Sequence, residues 1–381
     1  MATSLMCKTL GAACLGLSMA CASPIAFALE DVIDKPARPT ELAPESLLND
    51  VVRAGDRIVA VGERGHIIYS DDEGQSWTQA QVPVSVTLTG IDFSSDAKGW
   101  AVGHSGVVLH SEDAGANWEI QLTGIRAAEL AIASQEDAIA DMEARVEAAP
   151  EDEKGDLEWA LDDLYFSLEN MQADLDIGPV NPFLDVWFGD NDNGFVVGAY
   201  GMLFHTKDGG ETWQDWAPKL ENPQKFHLNS VTRVAGGAMV IVGEAGQIHV
   251  SVDGGDTWER RESPYPGSLF GVIGTGRVNE ILAFGLRGTL MFSSDLGKSW
   301  SMVNTGSTAT LNDGMAEDDR VVLVGNGGTV LTSGNGGDTF RDYVRADRQG
   351  LMSVVPADGT DLLMVGESGV TITDAQGKNL Q

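Results

Sequence analysis

Cysteine is missing from nearly the whole chain. The three present, Cys7, Cys14 and Cys21, sit at the start of 381 residues. The remainder has no pair for a disulfide and no thiolate for a metal. Base is scarce as well: 24 Lys and Arg stand against 57 Asp and Glu, a formal net charge of -33. Nucleic-acid binding needs clustered Lys and Arg on phosphates, so no nucleic-acid partner is expected. A soluble protein that resists self-association, or one that meets a basic partner, fits this charge. His-rich metal spacing and a G-x-S-x-G elbow are absent, so neither a metal nor a cofactor is expected. The apolar run from Leu10 to Ala20 is too short for a direct membrane span.

That run has another use. Lys8 is the only charge before Glu30, and Ala26-Phe27-Ala28 forms an A-x-A cleavage site. Together they predict an export signal over 1–28, cut after Ala28, and a periplasmic or secreted mature chain. The rival reading is a lipid anchor on Cys21. Ser18 fits it poorly, because a lipobox has an aliphatic residue there.

Glycine, in contrast, is abundant at 46 residues, and it recurs with a period. "AVGERGHIIYSDDEGQSW" (60–77) aligns with "AVGHSGVVLHSEDAGANW" (101–118), "VVGAYGMLFHTKDGGETW" (196–213) and "IVGEAGQIHVSVDGGDTW" (241–258). "AFGLRGTLMFSSDLGKSW" (283–300), "LVGNGGTVLTSGNGGDTF" (323–340) and a half-lost "MVGESGVTITDAQGKNL" (364–380) complete seven units. Successive marker glycines, from Gly62 to Gly366, lie 41, 95, 45, 42, 40 and 41 residues apart. About forty residues holding four short β-type runs is one propeller blade, so the fold class is all-β, a seven-bladed β-propeller. The seventh unit ends after its third strand. The segment 29–40 is therefore expected to supply that blade's outer strand, since Pro36 and Pro39 are tolerable only on an edge.

The phrase S/T-x-D-x-G-x-T/S-W sits at the turn between strands three and four. Its acids are Asp72, Asp113, Asp208, Asp253 and Asp295, with Asn335 in the sixth unit. The acid can accept N–H groups within the turn, the glycine permits positive φ, and the tryptophan can pack between blades. A catalytic group occurs once per site, whereas this phrase occurs six times. Its role is read as structural.

The phrase is the Asp-box, or BNR repeat, of sialidases, xyloglucanases and sortilin-type receptors. The fuller unit "VGxxGxIxxSxDGGxTW" resembles the photosystem II stability/assembly factor family, over roughly residues 45–380. The resemblance implies an assembly factor that binds a membrane-protein subunit without chemistry of its own. Exported relatives in non-photosynthetic bacteria are associated with transporters of the resistance-nodulation-division type. It implies, for this chain, a protein partner in the cell envelope, an inner-membrane transporter among the candidates. A sialidase would need three convergent arginines, a tyrosine nucleophile paired with a glutamate, an acid/base aspartate and an F/Y-R-I-P segment; none is found. Other glycosidases need two opposed carboxylates, which the many acids here neither supply nor exclude. The chain is read as a non-enzyme, with a glycan-active enzyme or a glycan- or lipid-binding protein as the alternative.

Strand topology places the VGxxG turns and the blade-to-blade links on one face, around the channel. The paired residues inside those turns vary, and Glu63, Arg64, His104, Tyr200, Glu244, Arg287, Asn326 and Glu367 form the candidate recognition ring. Arg64, His104, Tyr200 and Arg287 are its anchors, Arg and Tyr being common hot-spot residues. The long gap holds a different pattern. Ile125, Ala128, Ile132, Gln135, Ile139, Met142 and Val146 step by three and four, as do Leu157, Leu161, Leu164, Leu168, Met171 and Leu175. This predicts an α-helical coiled-coil hairpin over 125–177, interrupted at Ala149-Pro150-Glu151. Sixteen acids lie between Arg126 and Asp176, against Arg126, Arg145 and Lys154. Trp159, Tyr165 and Phe166 fall off the seam and mark the hairpin as a partner-docking arm. The propeller is thus expected in two parts, 29–124 and 178–381. Neither the partner's identity nor the oligomeric state is written in the sequence.

Overall fold

The computed structural model describes residues 32–178 and 180–380. The export signal expected over 1–28, with Cys21, lies outside them. Each repeat folds as one antiparallel sheet. In the first, β1 (Leu48–Ala54), β2 (Arg57–Gly62), β3 (Ile67–Ser70) and β4 (Thr78–Gln79) pair in chain order. Four-stranded sheets follow at 88–122, 183–215, 228–260, 269–302 and 311–344, and a three-stranded one at 351–373. The first strand of each sheet packs on the first strand of the next, and Leu351–Pro356 returns to β1. The result is a seven-bladed propeller with a helical hairpin between blades two and three.

The core is divided among the blade interfaces. Val59 and Val61 of blade one meet Leu88, Ala101 and Trp118 of blade two. The interface of blades seven and one gathers Leu363 and Val365 against Leu48, Val51 and Ile58. Second strands are buried on both faces, as in Gly99–Gly103, which explains their continuous apolar runs. The Asp-box tryptophans lock these interfaces. Trp118 and Trp213 are buried, a gain of about 2–3 kcal/mol each.

The marker glycine is required by close approach. Gly62 has extended backbone, but a Cβ there would overlap the Leu47 carbonyl, and Gly366 meets the Gly350 carbonyl in the same way. The second glycine of each turn lies in the left-handed region and faces a link: Gly65 against Val84, Gly246 against Tyr265, Gly288 against Ser307. In blade seven, Gly369 (φ +75) faces Pro44. The segment before β1 therefore takes the place that a link takes elsewhere.

This corrects one expectation. The described residues of the segment 29–40 do not supply the outer strand of blade seven. Its described part, 32–40, runs beside blade one: Ala37 N–H donates to the Val82 carbonyl at 3.0 Å, Ser85 N–H to Val32 at 2.9 Å, and Thr40 N–H to Gln79 Oε1 at 2.8 Å. Pro36 and Pro39 have no N–H to offer a ladder. Blade seven instead turns its own tail back. Asp374 N–H bonds the Lys378 carbonyl at 2.8 Å, and Asn379 bridges Thr373.

The hairpin consists of α1 (Gly124–Ala148) and α2 (Lys154–Ile177). Thr123 caps α1 by accepting the Arg126 N–H. Across the seam, Gln135 Nε2 donates to the Leu164 carbonyl at 2.8 Å. Ile125 leaves the expected seam and is exposed, being in the first turn of α1. A different stripe of α1, Ala127, Leu130 and Ala131, packs on the core between blades two and three. Burying that stripe anchors the arm.

Candidate functional site

In six of the seven VGxxG turns the two central residues have separate jobs. The first donates its N–H to the carbonyl just before the blade's inner strand: Glu63 to Leu47 at 3.0 Å, Glu244 to His227 at 2.9 Å, Asn326 to Thr310 at 2.9 Å. Where its side chain is polar, it often turns back too. Glu244 Oε2 accepts the His227 N–H at 3.3 Å, and Asn326 Oδ1 accepts Asn312 Nδ2 at 2.9 Å. Glu367, in the tighter turn of blade seven, accepts the Gly350 N–H at 2.8 Å. These side chains serve the scaffold.

The second central residue is presented outward in a left-handed conformation. Arg64 (φ 57), Ser105 (φ 59), Tyr200 (φ 54), Ala245 (φ 54) and Arg287 (φ 60) all adopt it, and only blade six uses glycine there. Holding a non-glycine residue in this region costs roughly 1 kcal/mol. Arg64, Tyr200 and Arg287 are exposed, as is His104. Arg64 has only a distant neighbour in Glu63, at 3.8 Å. Arg287 makes no ion pair among the described residues. Of the eight ring residues, Glu244, Asn326 and Glu367 bond the turn through their side chains, while Arg64, Tyr200, Arg287 and His104 are exposed.

Sequence reasoning missed His227 at this face. Its Nδ1 accepts the Tyr200 N–H at 2.8 Å, and the two rings meet edge to face at 5.0 Å. The pairing crosses from blade three to the link before blade four, so no sequence spacing announces it.

The Asp-boxes lie on the opposite face, and their carboxylates are occupied by the turn. Asp253 accepts from Thr257 N–H at 2.9 Å, Thr257 Oγ1 at 2.6 Å and Ser251 Oγ at 2.7 Å. These donors, the Thr257 hydroxyl first, hold its carboxyl down at about 2; Ser299 does the same for Asp295. Asp72, Asp113 and Asp208 repeat the geometry. In blade six Asn335 keeps it, with its Nδ2 now donating to Thr339 Oγ1 at 3.0 Å. The turn therefore needs an acceptor at this position rather than a charge. Replacing Asp208 by Ala is expected to cost about 1 kcal/mol in chemical denaturation, and Asp208→Asn much less.

The sequence profile of the family described as photosynthesis system II assembly factor YCF48 matches residues 34–160 and 167–302. This chain belongs to that family. The photosystem II assembly lipoprotein Ycf48 of Synechococcus sp. (strain CC9902) is 29% identical over 202 residues, covering 52% of this chain and 60% of that protein. Its counterpart in Prochlorococcus marinus (strain MIT 9313) is 30% identical over 206 residues, covering 52% and 59%. The chain thus aligns with about 60% of the length of these curated relatives. A solved structure of YCF48 bound to D1 peptide is similar in fold, with a TM-score of 0.57 at 16% identity over 86% of this chain and 92% of that one. YCF48 from Cyanidioschyzon merolae gives 0.56 at 18% identity, over 88% and 97%.

The channel of this YCF48-family propeller holds a second set of acids that sequence reasoning passed over. Inner strands are sheet edges, and their unpaired N–H groups need acceptors. Asp50 accepts from Ile91 of the next blade at 2.9 Å, Asp92 from Phe188 at 2.7 Å, and Asp185 from Val231 at 2.8 Å. Asp313 accepts from Ser353 Oγ at 2.7 Å. These aspartates are half-buried residues whose carboxyls are surrounded by protein, and that desolvation governs their titration. It raises Asp92 to about 6 and Asp185 to about 7. Asp50 is also raised well above the usual range, by burial first and then by the charges of Asp313 and Asp185. An acid two residues into a strand, as in "LND" (48–50 and 311–313), was the available signal. Among the described residues, no cluster of His, Cys, Asp or Glu is arranged to hold a metal, and no helix is long and apolar enough to cross a membrane.

Proposed function

We propose that this chain is an exported, non-catalytic assembly factor that holds a protein partner on its VGxxG face. The observation carrying the reading is the presentation of Arg64, Tyr200 and Arg287, each exposed on a left-handed turn of an otherwise regular scaffold. Two guanidinium groups and a phenol suit an extended segment that carries carboxylate. Family membership supports the assembly role, and a relative of the same fold is described as bound to a peptide. We take the partner to be a membrane-protein complex of the cell envelope, in first place a transporter of the resistance-nodulation-division type.

In-cell crosslinking of the tagged protein, read by mass spectrometry, tests this. The intact chain is expected to capture an inner-membrane complex. The variant Arg64→Ala/Tyr200→Ala/Arg287→Ala should lower recovery about tenfold or more, as for loss of interface hot spots. Equal recovery by the variant, or turnover of a glycan by the intact protein, would sink the reading.

A further inference from the structure

The outer face of α2 carries three large apolar side chains, with Asn170 among them, and no other described residue covers it. Trp159, Phe166 and Ile177 are 70%, 66% and 85% exposed. Trp159 and Ile177 are eighteen residues apart, five whole turns, and Phe166 follows Trp159 by seven, so all three fall on one stripe about 27 Å long. The seam residues Leu157, Leu161, Leu164, Leu168, Met171 and Leu175 are half-buried on the opposite side. α1 covers that side and itself leans on the propeller. Tyr165 is not part of the stripe: its hydroxyl donates to Glu143 of α1 at 2.6 Å. A helix with two opposed apolar faces, one of them bare, lacks a neighbour.

The surrounding charge selects the neighbour. Asp156, Asp163 and Asp174 flank the stripe on one side, Asp162 and Glu169 on the other, and Lys154 is the one base of α2. A second copy would set acid against acid along the whole contact, and an anionic lipid surface would be repelled likewise. We propose that the outer face of α2 docks a basic amphipathic helix of another protein, with Lys and Arg flanking an apolar stripe, as the third helix of a small bundle. Its apolar stripe would lie on Trp159, Phe166 and Ile177 and its bases beside the flanking acids. The stripe shares no residue with Arg64, Tyr200 and Arg287, and the inference does not rest on the role proposed for them.

The test uses the full exported chain and a fluorescein-labelled helical peptide of about 18 residues, leucine on one stripe and lysine on its flanks. Fluorescence anisotropy at physiological salt is expected to show saturable binding. Trp159→Ala/Phe166→Ala/Ile177→Ala, which leaves every charge in place, should weaken it about tenfold or more. Circular dichroism should show the variant folded, as expected for exposed positions. Arg64→Ala/Tyr200→Ala/Arg287→Ala should bind as the intact chain does, separating the two surfaces. Undiminished binding by the α2 variant would reduce the contact to bulk charge attraction and overturn the proposal. So would equal binding of a peptide with glutamate for lysine. Cosedimentation with vesicles of phosphatidylcholine and phosphatidylglycerol, or a dimer lost in the α2 variant, would replace the proposed occupant by a membrane or a second copy.

Discussion

Replacing Gly369 by alanine is expected to lower stability by about 3 kcal/mol or more, read as a fall in the guanidinium midpoint at unchanged slope. Two costs combine there. The residue has φ +75, which alanine adopts only with strain, and the new Cβ would overlap the Pro44 carbonyl and crowd Glu45 Cα. Those neighbours are backbone and cannot swing aside. Gly327 is the control. It also lies in the left-handed region, at φ +64, but nothing stands within 4 Å of its would-be Cβ. Other blades carry Arg, Ser, Tyr or Ala at that place, so Gly327→Ala should cost roughly 1 kcal/mol or less. The contrast tests how the ring closes. Among the described residues, blade seven shares no strand with the segment before blade one; it is held by the approach of 43–47, by side-chain packing of Leu363 and Val365 on Leu48 and Ile58, and by Arg53 Nε donating to the Pro356 carbonyl at 2.9 Å. If Gly369→Ala costs no more than Gly327→Ala, that approach contributes little, and face packing with the Arg53 Nε bond to the Pro356 carbonyl closes the ring.

The propeller was legible because its repeat is written in backbone requirements. Gly62 and its counterparts tolerate no Cβ, and the Asp-box turn needs an acceptor and a hydroxyl at fixed spacing, so both recur with the blades. The hairpin was legible from its period. What escaped lies between repeats. The path of 32–40 depends on which neighbour offers acceptors to Ala37 and Thr40, and a local pattern cannot show that blade one rather than blade seven does. Within the ring of variable turn residues, Arg64, His104, Tyr200 and Arg287 were singled out by residue type alone, without their backbone geometry. Only the structure separates Glu244, which turns back to His227, from Tyr200, which is pushed outward by its backbone. The channel aspartates were hidden among 57 acids, and their raised pKa values come from burial that the sequence does not display.

The channel aspartates lead to the second large effect, which appears as a difference between two pH profiles. Asp185 titrates at about 7 in the folded chain against an ordinary 3.8. Its folded pKa is raised, so the ionised form is the one that opposes folding. The cost is full above pH 7, shrinks as pH falls, and is nearly gone at pH 4, amounting to about 4 kcal/mol at 1.36 kcal/mol per unit. Buried histidines act the other way. His205 and His249 are lowered by burial to about 4 from 6.5, so their neutral forms support folding above pH 6.5 and that support is lost toward pH 4. The two sets offset each other in the intact protein, and a single profile would hide both. Asp185→Asn separates them. It removes the carboxylate's cost at high pH, though an amide cannot accept both the Val186 and the Val231 N–H groups as the carboxylate does. That loss is independent of pH and shifts the whole curve. The pH-dependent part remains: relative to the intact chain, the variant's unfolding free energy should fall by about 4 kcal/mol from pH 8 to pH 4. Urea denaturation of both proteins at four or five pH values measures it. A constant difference would mean that channel water keeps Asp185 ionised at its ordinary pKa, and that the carboxylate seals the edge of blade four at no electrostatic cost.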